Sequence, residues 1–219
     1  MGDKNVSRMV FCDFDGTITA QETFVAMLRH FVPDRAAVIL PQIYHQAITL
    51  KQGVRLLLED LPASVYGDIV EFTRPQPIRP GFGSFLSFLE AHQTPFVVVS
   101  GGLQGMVEAV LEPFLPQVKG IHAIAVDTAG PRLGLRSPYE GDTEMVAKAD
   151  ILAHYQNTYG VEETIAIGDG ITDWNMALAA SLVFARPPLT DFMEKQGKAY
   201  IAWDTFTDIQ AYLTQYFAT

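Results

Sequence analysis

The sequence predicts an α/β protein in which a doubly wound parallel sheet carries a small all-helical insertion after its first strand. Six short apolar runs recur along the 219 residues, and most are separated by segments long enough for a helix. The first run ends in two acidic residues, as expected where the carboxyl ends of parallel strands face a ligand cleft. A content of 48% hydrophobic residues is ample for the core of such a protein.

The individual elements follow from apolar runs and the amphipathic segments between them. Strands are predicted at residues 9–13, 95–100, 121–126, 164–168, 182–185 and 200–203. Helices are predicted at residues 80–92, 103–111, 143–159, 172–180, 189–196 and 206–217. This alternation is typical of parallel strands joined by helical crossovers.

Residues 21–77 break the alternation and are predicted to form a helical cap on a core of residues 1–20 and 78–219. The segment contains amphipathic stretches at 22–31, 35–48 and 53–58, interrupted by prolines, and no convincing strand. We expect this cap to cover the acidic strand end, exclude water and contact the substrate. A helical unit that serves only packing is the alternative interpretation.

Asp13 and Asp15 follow the first apolar run and are the first candidate catalytic residues. Two neighbouring carboxylates can hold a cation, and one can attack an electrophile while the other transfers a proton. The Asp15-Gly16 pair would also suit an ordinary turn after a strand. The remaining motifs therefore have to decide between chemistry and a simple turn.

Ser100, Gly101 and Gly102 directly follow the second predicted strand. A hydroxyl and two residues without side chains allow backbone N–H groups to approach a phosphate closely at the start of a helix. The same residues also suit a loop and helix cap. Their position after a predicted strand favours the phosphate-binding interpretation.

Asp169 and Asp173 come after another predicted strand, and Lys148 lies in the predicted helix 143–159. Asp169 could join Asp13 around a hard cation such as Mg²⁺, which prefers oxygen ligands. Asp173 could instead be an acidic residue favoured by the first turn of a helix. Lys148 is the best candidate for a fixed positive charge facing the acids, although most lysines on helices are simply solvated.

Taken together, these segments resemble the four motifs of the haloacid dehalogenase-like hydrolases. The motifs are DFDGT at residues 13–17, Ser100, Lys148 and GDGITD at residues 168–173, in the order and context of that family. The resemblance extends over the whole chain and implies a Rossmann-like core with a cap in the first-motif position. Asp15 distinguishes the chain from the family's dehalogenases and ion-pumping ATPases, so the resemblance implies a phosphatase or a phosphomutase.

The resemblance also implies the nucleophile and the metal ligands. Asp13 is expected to attack phosphorus and form an aspartyl-phosphate, while Asp15 protonates the leaving alcohol and later deprotonates a water molecule. Mg²⁺ is the expected cofactor, held by the Asp13 carboxylate, the Asp15 carbonyl oxygen and Asp169.

The other motif residues are expected to bind phosphate or support those that do. Ser100 and Lys148, with the backbone of Gly101 and Gly102, would bind phosphate oxygens. Asp173 would orient Lys148 or a metal-bound water molecule.

Within the family, the helical cap resembles that of the phosphoserine phosphatase branch. Glu22, nine residues after Asp13, matches a glutamate that contacts the substrate amine in that branch, so it is a candidate substrate-binding residue. The substrate arginine of that branch would fall at Val54, with Arg55 one place off. A clamp for the carboxylate of phosphoserine is therefore doubtful.

The sequence is more similar to the methionine-salvage branch, the phosphatases of 2-hydroxy-3-keto-5-methylthiopentenyl-1-phosphate. Segments that carry this similarity include Gly53-Val54, Gly81-Phe82 and Phe184-Ala185-Arg186. A methylthio substrate is therefore expected. Phosphoserine, phosphoethanolamine and phosphocholine stay open as substrates, as do a phosphomutase and a catalytically silent sensor.

Charge and composition limit the partners and the location. Fifteen basic and 25 acidic residues give a net charge of −10, which disfavours binding to nucleic acid or to an anionic membrane. Cys12 is the only cysteine, which is compatible with a reducing compartment, and no stretch is typical of a signal peptide or membrane span. We expect a cytoplasmic monomer or homodimer that acts on a small phosphorylated metabolite.

Overall fold

A computed structural model describes residues 6–218, and its centre is a seven-stranded sheet with helices on both faces. The strands are β1 (Arg8–Cys12), β2 (Phe96–Leu103), β3 (Gly120–Asp127), β4 (Gly134–Arg136), β5 (Glu163–Gly168), β6 (Leu182–Ala185) and β7 (Ile201–Ala202). Their spatial order is β4-β3-β2-β1-β5-β6-β7. Every pair is parallel except β3 with β4, so the predicted doubly wound parallel sheet is confirmed.

The central strand β1 is apolar from Met9 onwards, because both of its faces are buried there. Met9 and Phe11 pack into one hydrophobic core, whereas Val10 and Cys12 pack into the core on the other face. Cys12 is in register with residues of both β2 and β5. The carboxyl ends of these three strands therefore meet, and the residue that follows Cys12 enters the cleft between them.

Ten helices lie within the described residues. Four come from the segment predicted as the cap: α1 (Thr23–Phe31), α2 (Pro33–Tyr44), α3 (Leu50–Leu58) and α4 (Tyr66–Thr73). The other six are α5 (Phe82–Ala91), α6 (Gln104–Leu111), α7 (Lys148–Tyr159), α8 (Trp174–Ala179), α9 (Leu189–Gln196) and α10 (Phe206–Tyr216). The proposed division into cap and core stays a prediction, and its residues 1–5 and 219 lie outside the described residues.

The helices α2 and α3 show how the local sequence sets the boundaries in this segment. Pro41 lies in the last turn of α2, and the helix ends soon afterwards because Gln46 adopts a positive φ of 57°. Thr49 then caps α3 by accepting a hydrogen bond from the backbone N–H of Gln52 at 3.1 Å. The predicted stretch 35–48 is thus one helix followed by a turn.

Three elements differ from the predicted set. The antiparallel strand β4 and the helix α4 are not in the predicted set, and both are short. The helix predicted from residue 143 begins only at Lys148, because the backbone N–H of Ala147 donates to the Tyr139 carbonyl and holds the preceding segment as a loop. Lys148 therefore lies in the first turn of α7.

Two chain segments, one around Thr19 and one around Ile78, connect the helical segment to the sheet and pair antiparallel with each other. We call these segments the tethers. Thr19 pairs with Ile78, and the N–H of Ala20 donates to the carbonyl of Pro77 at 2.9 Å. The N–H of Arg79 donates to the carbonyl of Ile18 at 2.8 Å. Both tethers therefore leave the sheet beside the end of β1.

Across residues 6–218, the helices are all too short or too polar to cross a membrane.

Candidate active site

Asp13 and Lys148 form the centre of the candidate site. Lys148 Nζ lies 2.5 Å from Asp13 Oδ1, and both residues are buried. Asp13 is placed at the end of β1 by a hydrogen bond from its own N–H to the carbonyl of Ile167 in β5, at 2.9 Å. The second carboxylate oxygen of Asp13 accepts no hydrogen bond from residues 6–218, so it is available to a ligand.

Asp173 supports this centre from the short 3-10 turn Ile171–Asp173. Its Oδ1 accepts from Lys148 Nζ at 2.6 Å. Its Oδ2 accepts from the backbone N–H groups of Asp169 and Gly170 at 3.0 and 2.9 Å. Both oxygens are thus engaged, which fixes the loop after β5 and the ammonium group together.

Asp169 lies across the cleft from Asp13 and contacts the turn that follows Asp15. Thr17 Oγ1 donates to Asp169 Oδ1 at 3.1 Å. Gly16 has a φ of +80°, and a Cβ atom at this position would lie 2.4 Å from Asp169 Oδ2. Glycine is therefore required at residue 16 both by the backbone conformation and by the close approach of the carboxylate.

Asp15 binds the amino-terminal end of α1. Its Oδ1 accepts from the N–H of Thr23 at 2.5 Å, and its Oδ2 accepts from the N–H of Phe24 at 3.0 Å. These are two of the N–H groups that lack a partner within the helix, and the helix dipole favours a negative charge there. Glu22 is the residue before the helix but makes no such bond with its side chain.

Ser100, Gly101 and Gly102 occur in an irregular end of β2 rather than at a helix start. The pairing of β2 with β3 shifts between Val99 and Leu103, and α6 begins only after Leu103. Ser100 Oγ accepts from the N–H of Gly102 at 3.0 Å. A Cβ atom on Gly101 would meet no atom within 4 Å, so this backbone faces open space.

A cavity of about 390 Å³ opens beside these groups and extends between the sheet edge and the helices α1, α2 and α3. At one end it is lined by carboxylates and backbone, namely Asp13, Asp15, Glu22, Gly101, Gly102, Asp169 and Gly170. The remaining wall is mainly apolar, with Phe24, Val25, Leu28, Leu40, Ile43, Tyr44, Leu50, Val54, Leu57 and Phe192. No lysine or arginine of the described chain lines it. Ser100, Lys148 and Asp173 are buried behind the lining.

Val54 and Arg55 show which side of α3 faces the cavity. Val54 is buried and lines the cavity. Arg55 points elsewhere and forms ion pairs with Glu59 and Glu140, the latter at 2.8 Å. The one-residue offset seen in the sequence thus leaves the cavity wall without the arginine.

Burial and mutual repulsion make the site's acids weaker than ordinary carboxylic acids. Burial is the main cause, and repulsion from Asp173 is the second. Together they raise the pKa of Asp13 well above its usual range and the pKa of Asp169 to about 7. Burial also raises the pKa of Asp15 to about 7, although the N–H of Phe24 opposes this shift. Burial disfavours the charged form of Lys148, but Asp13 and Asp173 outweigh it and raise its pKa.

This arrangement fits a divalent cation. One oxygen each from Asp13, Asp169 and Asp173 lie within 4.8 Å of one another. Hard cations prefer such oxygen ligands, and a cation would relieve the repulsion that raises the acids' pKa values. Because both oxygens of Asp173 are already hydrogen-bonded, Asp13 and Asp169 are the better ligands of the three.

The structure brings together the acids and the lysine singled out in the sequence, but the groups that orient them were not predicted. Asp15 binds Thr23 of α1, 8 positions further along the chain, and Thr17 binds Asp169, 152 positions further along. No spacing rule connects such residues. The signal that was available is the Gly16-Thr17 pair, because a glycine there indicates close approach of another group.

Comparison with known proteins places these motifs in context. A family model of haloacid dehalogenase-like hydrolases matches residues 10–178. A 2-hydroxy-3-keto-5-methylthiopentenyl-1-phosphate phosphatase of Microcystis aeruginosa is 49% identical over 95% of this chain and 98% of its own. A protein of the same name from Bacillus cereus is 31% identical over 95% of this chain and 96% of its own.

Solved structures show the same fold. A structure described as a phospho-aspartyl intermediate analogue of phosphoserine phosphatase superposes with a TM-score of 0.72, covering 95% of this chain and 99% of the other. A substrate-bound phosphoserine phosphatase gives a TM-score of 0.72 over 93% and 97%. Both are 21% identical to this chain, so these structures show a shared fold and nothing more.

Proposed function

Because the chain belongs to the haloacid dehalogenase-like hydrolase family and is a phosphatase, we propose that it hydrolyses 2-hydroxy-3-keto-5-methylthiopentenyl-1-phosphate with Mg²⁺ as cofactor. The observation that carries the substrate assignment is the cavity, which joins the acidic end to an apolar wall without lysine or arginine. A phosphate ester with an uncharged, apolar tail fits such a wall. A substrate carboxylate, as in phosphoserine, would lose its hydration there without a cationic partner.

In the proposed reaction, the free oxygen of Asp13 attacks phosphorus and forms an aspartyl-phosphate as the bond to the leaving oxygen breaks. Asp15 gives its proton to that oxygen, and its pKa of about 7 suits a group that must be protonated at neutral pH. Asp15 then takes a proton from water, whose oxygen attacks phosphorus and releases phosphate from Asp13. A bound Mg²⁺ would neutralise charge on the phosphoryl group.

The remaining residues would hold the reactants in place. Lys148, already fixed by Asp173, would hold both Asp13 and a phosphate oxygen. Ser100 and the backbone of Gly101 and Gly102, which lines the cavity, would supply further hydrogen bonds to phosphate. In this proposal Asp13, Asp169 and the Asp15 carbonyl oxygen bind the metal.

Glu22 favours a second candidate, a phosphorylated amine such as phosphoethanolamine or phosphocholine. Its carboxylate lines the cavity near the acidic end, where it could pair with a substrate ammonium group. The proposed partner is in either case a small phosphorylated metabolite. Cytoplasmic location, the lack of nucleic-acid and membrane binding, and a monomeric or homodimeric state stay predictions.

The test is phosphate release, with Mg²⁺, from the methylthio enol phosphate, phosphoserine, phosphoethanolamine and phosphocholine. We expect the highest kcat/KM for the enol phosphate. Faster turnover of phosphoserine would contradict the substrate assignment, whereas faster turnover of phosphoethanolamine would favour the second candidate. Transfer of phosphate to another hydroxyl group instead of water would indicate a mutase.

The Asp13→Asn variant tests the mechanism itself. An amide is not an effective nucleophile, so we expect kcat to fall by roughly 10³-fold or more while the fold is kept. Circular dichroism and thermal unfolding give the control for folding. Phosphate release at close to the parent rate would rule out Asp13 as the nucleophile.

A further inference from the structure

Arg79, on the tether that returns from α4 to the sheet, binds the turn that follows Asp15. Its Nη2 donates to the carbonyl of Gly16 at 2.6 Å, and its Nε donates to the carbonyl of Thr17 at 2.9 Å. Two donors of one planar guanidinium thus bind two successive carbonyl groups. This forked geometry fixes orientation as well as position, which a lysine cannot do.

The guanidinium of Arg79 also contacts Trp203 and Asp204, which fix its position. Its Cζ lies 5.5 Å from the ring centroid of Trp203, which is buried, and Nη1 lies 3.3 Å from the carbonyl oxygen of Asp204. Arg186 binds the same two groups, with its Cζ 5.3 Å from the Trp203 ring and Nη1 2.7 Å from the Asp204 carbonyl. Only Arg79 of these two arginines reaches the turn.

The turn held by Arg79 contacts Asp169 directly. Gly16 packs so closely on the Asp169 carboxylate that a Cβ would lie 2.4 Å from Oδ2, and Thr17 Oγ1 donates to Oδ1 at 3.1 Å. The peptide between Asp15 and Gly16 carries the Asp15 carbonyl oxygen. A shift of this turn would therefore move two of the three expected metal ligands at once.

We infer that Arg79 is a positioning residue for the cation site, because its guanidinium holds the Gly16–Thr17 turn against Asp169. The inference rests on the proposed phosphatase function only in taking Asp13, the Asp15 carbonyl and Asp169 as the metal ligands. Arg79 contacts neither the cavity nor the reacting groups among the described residues. Its effect is on the geometry of the oxygen ligands.

Replacing Arg79 has two opposite expected effects on the affinity for a cation, one from the loss of its charge and one from the loss of its hydrogen bonds to the turn. Burial and the neighbouring Arg186 lower the pKa of Arg79, and Asp169 opposes that shift, so the arginine and this carboxylate attract each other. Removing a positive charge beside a cation site would by itself tighten cation binding. Loss of the held turn would weaken it, so the sign of the change identifies the cause.

The experiment measures the Kd for Mn²⁺, by the loss of its free electron paramagnetic resonance signal, in metal-free protein. The variants are Arg79→Lys, which keeps the charge but loses the fork, and Arg79→Gln, which loses both. We expect the Kd to rise roughly 10- to 100-fold in each variant, the range typical for residues that orient metal ligands. We also expect kcat to approach that of the parent protein when the metal concentration is raised far above the Kd.

Arg186→Gln is the matched control. It removes an arginine with the same Trp203 and Asp204 contacts but no hydrogen bond to the turn. Its Kd for Mn²⁺ is expected to stay within about twofold of the parent value or to decrease slightly, because a positive charge is lost while the turn keeps its hydrogen bonds to Arg79.

Three outcomes would overturn the inference. The first is an unchanged or lower Kd in folded Arg79→Lys, and the second is an equal rise of the Kd in Arg186→Gln. The third is loss of the fold in both Arg79 variants, which would make Arg79 a residue required for folding. The measurement needs no substrate, so an incorrect substrate assignment would show separately, as failure to release phosphate from the enol phosphate.

Discussion

Lys148 is unusual at the scale of single residues, because it is a lysine almost entirely removed from water. Its side chain is 1% exposed, and Nζ lies 2.5 Å from Asp13 and 2.6 Å from Asp173. A buried charge is tolerated only when it is paired and hydrogen-bonded. The pairing depends on α7 beginning at this residue, which lets the side chain reach the end of the sheet.

Replacing Lys148 with methionine is expected to destabilise the metal-free protein by about 3 kcal/mol. The long apolar side chain keeps most of the packing, but Asp13 and Asp173 lose their positive partner while still buried. Urea unfolding in the presence of a chelator measures the change. We also expect added Mg²⁺ to restore part of the loss, since a cation can replace the missing charge.

Lys119→Met is the control for this prediction. Lys119 is exposed, and the contact recorded for its ammonium group is with the ring of Tyr159, 5.4 Å away. Its replacement is expected to change the free energy of unfolding by about 0.5 kcal/mol or less. Equal losses in the two variants would show that the buried pairing of Lys148 contributes nothing specific.

At the scale of elements, α3 presents different chemistry on different faces. Val54 and Leu57 are buried and line the cavity, whereas Leu56 is 54% exposed. Arg55 does not line the cavity and forms ion pairs with Glu59 and Glu140. A 3.6-residue period therefore decides which residues of the helix line the cavity.

Val54→Arg is expected to change substrate preference. An arginine at this position would place a cation in the apolar wall, so kcat/KM for the enol phosphate should fall at least about tenfold. Turnover of phosphoserine should fall less, because its carboxylate gains a partner. The ratio of the two kcat/KM values is the measurement.

Leu56→Arg places the same side chain on the exposed face of the same helix. The ratio of kcat/KM values is expected to match that of the parent protein, because Leu56 does not line the cavity. If the ratio changes equally in both variants, or in neither, Val54 does not determine substrate preference from the apolar wall of the cavity.

At the scale of the whole molecule, acidic character is concentrated where the substrate would bind. The chain carries a net charge of −10. Asp13 and Asp173 bind Lys148, and Asp15 and Asp169 line the cavity together with Asp13. A phosphate dianion would be repelled by this cluster without help. A divalent cation bound by Asp13 and Asp169 would offset this repulsion, so we expect phosphate release to require one.

The metal-free protein is expected to lose stability as the pH rises from about 5 to 7.5. Asp15 and Asp169 have pKa values of about 7 in the folded protein, above the ordinary value of 3.8, and the pKa of Asp13 is raised as well. The folded state therefore binds more protons than the unfolded state in this window. Stability must then fall with pH, by at most about 1.4 kcal/mol per unit for each such group.

Urea unfolding at pH 5.0 and 7.5 with a chelator tests this expectation. Saturating Mg²⁺ should reduce the difference, since a bound cation favours the ionised carboxylates. Stability that is constant or increases with pH in the chelated protein would contradict the raised pKa values.

Much of the fold could be predicted because its signals are local. The apolar run before Asp13 and the glycines around Asp169 indicate buried strands that end at a cleft, and the parallel sheet is as predicted. Strand β4 is only three residues long and depends on pairing with β3. The start of α7 depends on a hydrogen bond between Ala147 and Tyr139, which no propensity rule anticipates.

The sequence by itself determined the order of the elements and the candidate chemistry, because hydrophobic period and motif spacing are properties of neighbouring residues. Only the tertiary structure decided that Asp15 binds the start of α1, that Val54 rather than Arg55 lines the cavity, and that Arg79 holds the Gly16–Thr17 turn. These contacts depend on the packing of distant segments and on side-chain direction. Their geometry is set by the folded chain as a whole, where burial and charge act over distances in space instead of along the sequence.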